Sequence, residues 1–311
     1  MGKKIISMSL WGDLPMYTVG AIRNAEMNPR IFGSDWITRI YIGNDVPSEV
    51  CEKLVSLPQT ECVFLPNEDP NWNGMFWRFW AISDEDVDLV IFRDTDSRPS
   101  IRDSAAVQEW IESGKMIHLM RDHPYHTEPI MGGMWGCRAK ETYEKLKSEL
   151  SQLQFSNMEE LTKKWWEHQK EKSYRVHVLR EGGDFWTKRY APYDMMTGES
   201  KKGVDQLFLR MVVYKAFQQE FFIHDAFPMY NSFSGVFDEQ RYFQSDAGTG
   251  VKKEITTGFP SMRQTWNDTF PSKWHDFIGQ QWDEFDVPNE EYAQLLKQRD
   301  ECIYSDWKKK D

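Results

Sequence analysis

The sequence predicts an α/β fold, a mainly parallel sheet flanked by helices, and three observations carry the prediction. Strand-like and helix-like segments alternate through the first hundred residues, a repeating βαβ pattern. The segment Asp88–Phe92 (DLVIF) has the unbroken apolar character of a strand covered on both faces. The chain of 311 residues, 28% charged and 40% hydrophobic, is long enough and apolar enough to bury a full core.

The elements follow in order. Lys4–Ser9 is a short apolar strand, and a helix runs from Pro15, a good first-turn residue, to about Asn28. Trp36–Ile42 alternates as a strand, Ser48–Leu57 reads as a helix, and Glu61–Leu65 is a third strand. Gly74–Ile82 is a short helix before the fourth strand, Asp88–Phe92. The sequence DTDSRP comes next, then a helix over Asp103–Ser113 closed by Gly114. Met116–Met120 is a fifth strand, followed by an irregular His-, Gly- and Pro-rich stretch to about Cys137. Helices are expected over Ala139–Leu150 and Asn157–Lys172, the second opened by a capping box from Ser156 to Glu159. Val204–Phe217 reads as a helix, Phe221–His224 as a short strand, and Asn289–Ile303 as a last helix. With no internal repeat and no clean linker, one domain is expected. Residues 1–120 and 121–244 would form its two halves, and 245–311 would wrap over the outside.

Composition excludes several functions. A formal net charge of −11 repels phosphate backbones, which argues against nucleic-acid binding. The 14 Trp, 12 Tyr and 19 Phe supply far more burial than a disordered chain carries. The first ten residues turn polar too quickly for a signal peptide, and no stretch approaches the roughly 18 apolar residues of a membrane span. Four scattered cysteines without a CxxC pair read as reduced thiols; a secreted disulfide scaffold is the alternative. A soluble, cytoplasmic protein is expected. No GxGxxG or Walker loop follows the first strand, against dehydrogenases and P-loop ATPases. His118, His123 and His126 match no usual zinc spacing, so solvated or acceptor-side roles are expected for them.

The chemistry is expected in VDLVIFRDTDSRP. Asp94 and Asp96 stand just beyond the C-terminal end of a buried strand, where open α/β sheets place ligands. Both carboxylates can face one divalent cation, a hard ion that prefers oxygen and would bridge them to a diphosphate. A solvated Asp-rich turn is the other reading.

IFRDTDSRP resembles the Asp-x-Asp motif of nucleotide-sugar-dependent glycosyltransferases of the GT-A fold, of a viral or microbial type. Further segments follow in matching order. Met120–Pro124 through Ile130–Gly136 resembles the strand and Gly-containing segment that line donor sugar and acceptor. Gly203–Leu209 is similar to an Asp-Gln helix start, Ile223–Ala226 to a late His-Asp segment, and Phe277–Gly279 to a phosphate-side loop. Together they span residues 4 to about 280. The resemblance implies a Rossmann-like GT-A sheet and transfer of a sugar from a nucleoside diphosphate donor to a glycan hydroxyl. A UDP-sugar is the first choice and a GDP-sugar the second, with Mn²⁺ or Mg²⁺ as cofactor. It implies donor contacts from Ser9, Leu10, Trp11, Arg78, Asp94, Thr95, Asp96, Gly132, Gly133 and Gly279, and acceptor contacts from His123 and Trp135. Asp94 and Asp96 would hold the metal, completed by His224 or by its rival His275.

The residues leave alternatives open. Asp205 either complements a helix N-terminus or acts as the catalytic carboxylate. His224 is either a core histidine or a metal ligand, which would require a neutral ring. Trp11 either stacks on the nucleobase or packs in the core. The guanidinium of Arg78 suits a phosphate or sugar hydroxyls, among aromatics that read as core. Trp165 and Trp166 read as core or as an acceptor platform. His275–Gly279 is similar to an element of glycogenin-like enzymes, but Gln280-Gln281-Trp282 stands where those usually have Lys-Pro-Trp, which puts a lysine clamp on the diphosphate in doubt. Two other classes remain: a non-catalytic glycan-binding protein, and a sugar-nucleotide pyrophosphorylase, whose usual Gly-rich basic loop is missing after the first strand.

Overall fold

The structure, a computed structural model, describes residues 2–122, 126, 128–171, 203–217, 220–225, 256–257 and 278–290. The chain winds as β1 (Lys3–Leu10), α1 (Pro15–Ile31), β2 (Trp36–Gly43), α2 (Ser48–Ser56) and β3 (Thr60–Leu65). A 3₁₀ segment (Trp72–Ser83) leads into β4 (Val87–Phe92), α3 (Ile101–Ser113), β5 (Ile117–Arg121) and β6 (Trp135–Arg138). Then come α4 (Ala139–Glu149), α5 (Met158–Glu171), α6 (Val204–Phe208), β7 (Phe221–Asp225) and the two-residue β8 (Thr256–Thr257).

The strands form one sheet in the order β3-β2-β1-β4-β6-β5-β7-β8. All neighbours are parallel except the two pairings of β6, which runs antiparallel between β4 and β5. The expected α/β, mainly parallel, helix-flanked sheet is therefore what the chain builds. From β1 the chain winds outward to β2 and β3, then returns to place β4 on the other side of β1. That reversal opens a crevice at the C-terminal ends of β1 and β4. Ile5–Leu10 and Leu89–Phe92 are buried throughout, as central strands must be, whereas edge strand β3 is only half-buried. No helix among the described residues is long and apolar enough to cross a membrane.

Several elements depart from expectation. The helix expected over Gly74–Ile82 is a longer 3₁₀ run whose residues Phe76 to Ile82 are all buried. It packs all round as core and presents no single apolar stripe. β6 lies where an irregular stretch was expected; four residues (WGCR) are too short to show an alternation, and their pairing with β4 is long-range. The helix expected over Val204–Phe217 widens to π geometry at Leu209–Tyr214. At the start of α5 the cap sits one residue later than predicted: Asn157 Oδ1 accepts from Glu160 N, and Ser156 N donates to the Glu160 carboxylate, each at 2.8 Å. The N-cap-to-N3 spacing of three therefore selects Glu160, not Glu159. α3 begins at Ile101, capped by Ser100 Oγ and closed as expected by Gly114 at φ 71°. Of the helix expected over Asn289–Ile303, all but Asn289 and Glu290 lies outside the described residues.

Two buried ion pairs bind α3 to the sheet. Arg93, just past β4, donates from Nε (2.8 Å) and Nη2 (2.6 Å) to the Asp103 carboxylate. Arg102 makes the same fork to Asp122 at the end of β5. On the other side of β4 the Asp94–Ser97 turn is clamped to α1, where Asn24 Nδ2 donates to Thr95 O (3.1 Å) and Ser97 O (2.8 Å). Gly20 meets the Thr95 carbonyl so closely that a Cβ would overlap it.

Removing one member of such a buried pair strands the other's charge. Asp103→Ala is expected to cost about 3–5 kcal/mol in urea denaturation, and the apolar pair Arg93→Met with Asp103→Leu to cost less.

Candidate active site

The site grows from Arg78. Its main chain is held by β1, with Ser7 Oγ donating to Arg78 O (2.7 Å) and Arg78 N donating to Ser9 Oγ (3.0 Å). Those two serines occupy alternate positions of one strand face, so the 3₁₀ segment docks in a single register and aims the guanidinium at the crevice. There Arg78 Nη1 donates to Asp94 Oδ1, and Nη2 donates to Asp205 Oδ2 at 3.1 Å. The guanidinium is buried, and burial works against its charge. The Asp94 and Asp205 carboxylates outweigh burial, so Arg78 is held more firmly protonated than usual.

Asp94 opens the turn after β4, closed by Ser97, whose N (3.2 Å) and Oγ (2.8 Å) both donate to Asp94 O. Gly132 and Gly133 form a backbone cradle against these charges. A Cβ on Gly132 would lie 2.6 Å from Asp205 Oδ2, and one on Gly133 would sit inside the Asp94 carboxylate. Asp205 follows Gly203, whose φ of 86° turns the chain into α6 and brings the carboxylate to Arg78. It is 1% exposed, and among the described residues its Oδ1, like Arg78 Nε, is buried with no hydrogen-bond partner. Burial pushes the Asp205 carboxyl up to about 6, against the pull of Arg78. Asp96, half-buried, is likewise pushed up to about 6 by burial and by the Asp94 charge. Its Oδ2 accepts from Gln281 Nε2 at 2.8 Å.

The structure thus brings Arg78, Asp94, Asp205, Gly132 and Gly133 together and sets Asp96 two residues along the same turn. Ser9 joins through the Arg78 backbone. Trp11 is half-buried, edge-on to Trp72 and Trp77 at 6.3 and 6.0 Å, and backed by Gly74. Thr95 is buried, with its carbonyl turned to α1. Gly279, at φ 84°, packs on Met134 and His126 and reaches none of the three carboxylates directly.

Other expected residues lie elsewhere. His224 is a correction: it is fully buried, its Nδ1 2.9 Å from His118 Nε2 and its Nε2 2.8 Å from Glu109 Oε2. Both ring nitrogens are occupied, and β6 and β5 separate β7 from β4, so His224 does not join Asp94 and Asp96. Burial holds its pKa below the usual histidine value and that of His118 well below. His118 and His126 are not solvated: the first stacks on Trp110, and the second accepts from Asp122 N at 3.1 Å. Trp135 is a second correction, a core side chain packed 4.3 Å from the Phe92 ring and closed to an acceptor. Leu10 is core as well, as are Trp165 and Trp166. His123 and His275 lie outside the described residues.

Two further residues near the acidic turn were not singled out as site residues from the sequence. Tyr17, in the first turn of α1, is half-buried, and its phenol is held above the usual range by burial and by the charges of Asp96 and Asp94. Only the topology, which points the start of α1 at the crevice, could have found it. Gln281 stood out only as a departure from Lys-Pro-Trp.

The donor set suits a hard divalent cation. Two carboxylates on one turn face a crevice where three carboxylates outnumber one guanidinium. Among the described residues no group of three or more His, Cys, Asp or Glu is placed to hold a metal ion; a cation at Asp94 and Asp96 would need ligands from elsewhere.

Gly133→Ala tests the cradle. Its methyl group must displace the Asp94 carboxylate, an overpacking cost of about 1–3 kcal/mol in thermal unfolding.

No protein-family model matches the chain, and neither does any curated protein sequence. Among solved structures it is similar to mouse xyloside xylosyltransferase 1 in its apo form, at 11% identity over 78% of this chain and 94% of that one, with a TM-score of 0.38. A 4-diphosphocytidyl-2C-methyl-D-erythritol synthase from Anaerococcus prevotii shares 12% identity over 69% of this chain and 99% of its own, with a TM-score of 0.34. The glucosyl-3-phosphoglycerate synthase of Mycobacterium tuberculosis, in complex with Mn²⁺ and UDP-glucose, shares 14% over 47% of this chain, with a TM-score of 0.30. The chain spans 58% of that synthase. These are partial likenesses, and the chain's own side chains carry its functional reading.

Proposed function

We propose that the protein transfers a glycosyl unit from a nucleoside diphosphate sugar, a UDP-sugar first, to a carbohydrate hydroxyl with the help of Mn²⁺ or Mg²⁺. The observation that carries this reading is the convergence of Arg78, Asp94 and Asp205 on one glycine-lined site at the switch of the sheet, although 127 positions separate Arg78 from Asp205. Asp94 and Asp96 would hold the cation, which as a Lewis acid neutralises the diphosphate as it leaves. Trp11 offers a half-buried indole at the crevice to a base or ribose.

The protein's own groups divide the remaining work. Gly132 and Gly133 let a donor approach the backbone. Arg78 fixes the orientation of Asp205 through Oδ2 and leaves Oδ1 to accept a hydrogen bond from a sugar or acceptor hydroxyl. A carboxyl that titrates near neutrality suits proton transfer. In an inverting reaction Asp205 takes the acceptor proton; in a retaining one it orients the donor sugar and stabilises the oxocarbenium-like transition state.

The primary test is Asp96→Asn. Metal-dependent release of UDP from a UDP-sugar is expected to fall to background, and its persistence would refute the reading. For Asp205→Asn, fold and donor affinity are expected to survive while turnover drops about 10²-fold or more. A merely structural cap predicts instead a loss of about 1 kcal/mol in stability with turnover intact.

The pH dependence has opposite signs in the free and loaded protein. Asp96 and Asp205 titrate near 6 in the fold and near about 4 unfolded. Their protons therefore stabilise the free protein fully below about pH 4, and this contribution is lost as the pH rises through about 6. Cation binding needs the carboxylates ionised. The rise in melting temperature given by Mn²⁺ with UDP is therefore expected to be full near about pH 7.5 and mostly lost by about pH 5.

A further inference from the structure

The segment 278–290 is fastened over the Asp-x-Asp turn by two contacts to a single distant residue, with Trp282 N donating to Asp96 O and Gln281 Nε2 to Asp96 Oδ2, both at 2.8 Å. Around Gln281 the fastening is built. Its carbonyl accepts from Asn289 N at 2.9 Å and from Gln280 Nε2 at 2.6 Å, and Trp282 bridges to Pro288. Arg98 ties the far end of the turn to Asp286 at 3.1 Å. The backbone of Gln281 is thus fixed while its side chain reaches the carboxylate that the cation needs. On the far side of that side chain, Asn289 Nδ2 donates to Gln281 Oε1 at 3.1 Å.

A primary amide has one end that suits a carboxylate and one that suits a cation, and the two are nearly the same shape. Facing Asp96 alone, the NH₂ end is the favourable one. Facing a cation held by Asp94 and Asp96, the same position favours the carbonyl oxygen. Half a turn of the Gln281 amide makes the exchange, and a matching turn of the Asn289 amide returns an acceptor to the displaced NH₂. With His224 committed to His118 and Glu109, Gln281 is, among the described residues, an oxygen-bearing side chain that already touches Asp96.

We infer that Gln281 is a protein ligand of the divalent cation, donating its side-chain oxygen beside Asp94 and Asp96 and so coupling the C-terminal strap to metal occupancy. The inference rests on the metal-dependent reading proposed above. Diphosphate oxygens and water would fill the positions that remain.

The test is Mn²⁺ binding to the full chain in the presence of UDP, followed by calorimetry and by loss of the free-ion electron spin resonance signal. If wild type binds no Mn²⁺, or Asp96→Asn binds it normally, the metal site itself fails and this assignment with it. With the site upheld, Gln281→Ala is expected to weaken Mn²⁺ about tenfold, and Gln281→Glu to restore or tighten binding by adding a charged oxygen ligand. Metal-free Gln281→Glu should also melt lower than wild type, because its new carboxylate faces Asp96, and should gain more from Mn²⁺. Were Gln281 only a cover on Asp96, Gln281→Ala would leave Mn²⁺ affinity unchanged or improved. Were it only a structural donor of NH₂, the glutamate would fail along with the alanine. Either result overturns the inference, as does loss of binding in His275→Ala while Gln281→Ala binds normally.

Discussion

A single buried guanidinium organises the crevice. Arg78 is the one cation that the described contacts place among Asp94, Asp96 and Asp205, and it is fixed at both ends, by two serines of β1 and by two carboxylates. An unpaired charge in so enclosed a position would be costly, so the pairing is obligatory and the side chains that supply it have little freedom. The excess of carboxylates leaves the crevice negative even in an ion-paired state. A crevice of that sign favours cations over anions, so under the proposed function a diphosphate would need a cation beside it.

The surrounding architecture keeps this charge cluster in place. α3 is tied to the sheet by Arg93–Asp103, Arg102–Asp122 and Glu109–His224, three polar anchors on one helix. The first fixes the start of the Asp-x-Asp turn. The second extends to the strap, because Asp122 Oδ2 also accepts from Ile278 N at 3.0 Å. The third sets the buried His118–His224 pair in position between β5 and β7, which explains why a histidine in an apolar run has a structural task here. α1 clamps the other side of the turn through Asn24. The backbone of the turn is thus held by two helices through buried hydrogen bonds.

How far the sequence could be read depended on the range of the interaction. The βαβ alternation, the buried fourth strand and the Asp-x-Asp turn after it were legible, because they rest on side-chain periodicity and on position relative to a strand end. Gly132, Gly133 and Asp205 were legible only as residue types: a glycine pair and a carboxylate at a helix start. Their meeting at Arg78 was not. Trp135 and His224 read as site residues because a motif's order along the chain does not say which face of a strand a side chain occupies. In the fold, one packs on Phe92 and the other faces α3.

The sequence by itself determined the class of sheet and the strand that carries the acidic turn, since these are local properties of composition and spacing. Only the tertiary structure decided the insertion of β6 between β4 and β5, the 3₁₀ packing of the aromatic segment, the approach of Tyr17 to the acidic turn, and the contact of Gln281 with Asp96. Each of these joins residues far apart in the chain through burial and hydrogen-bond geometry, and neither is written in the order of the residues.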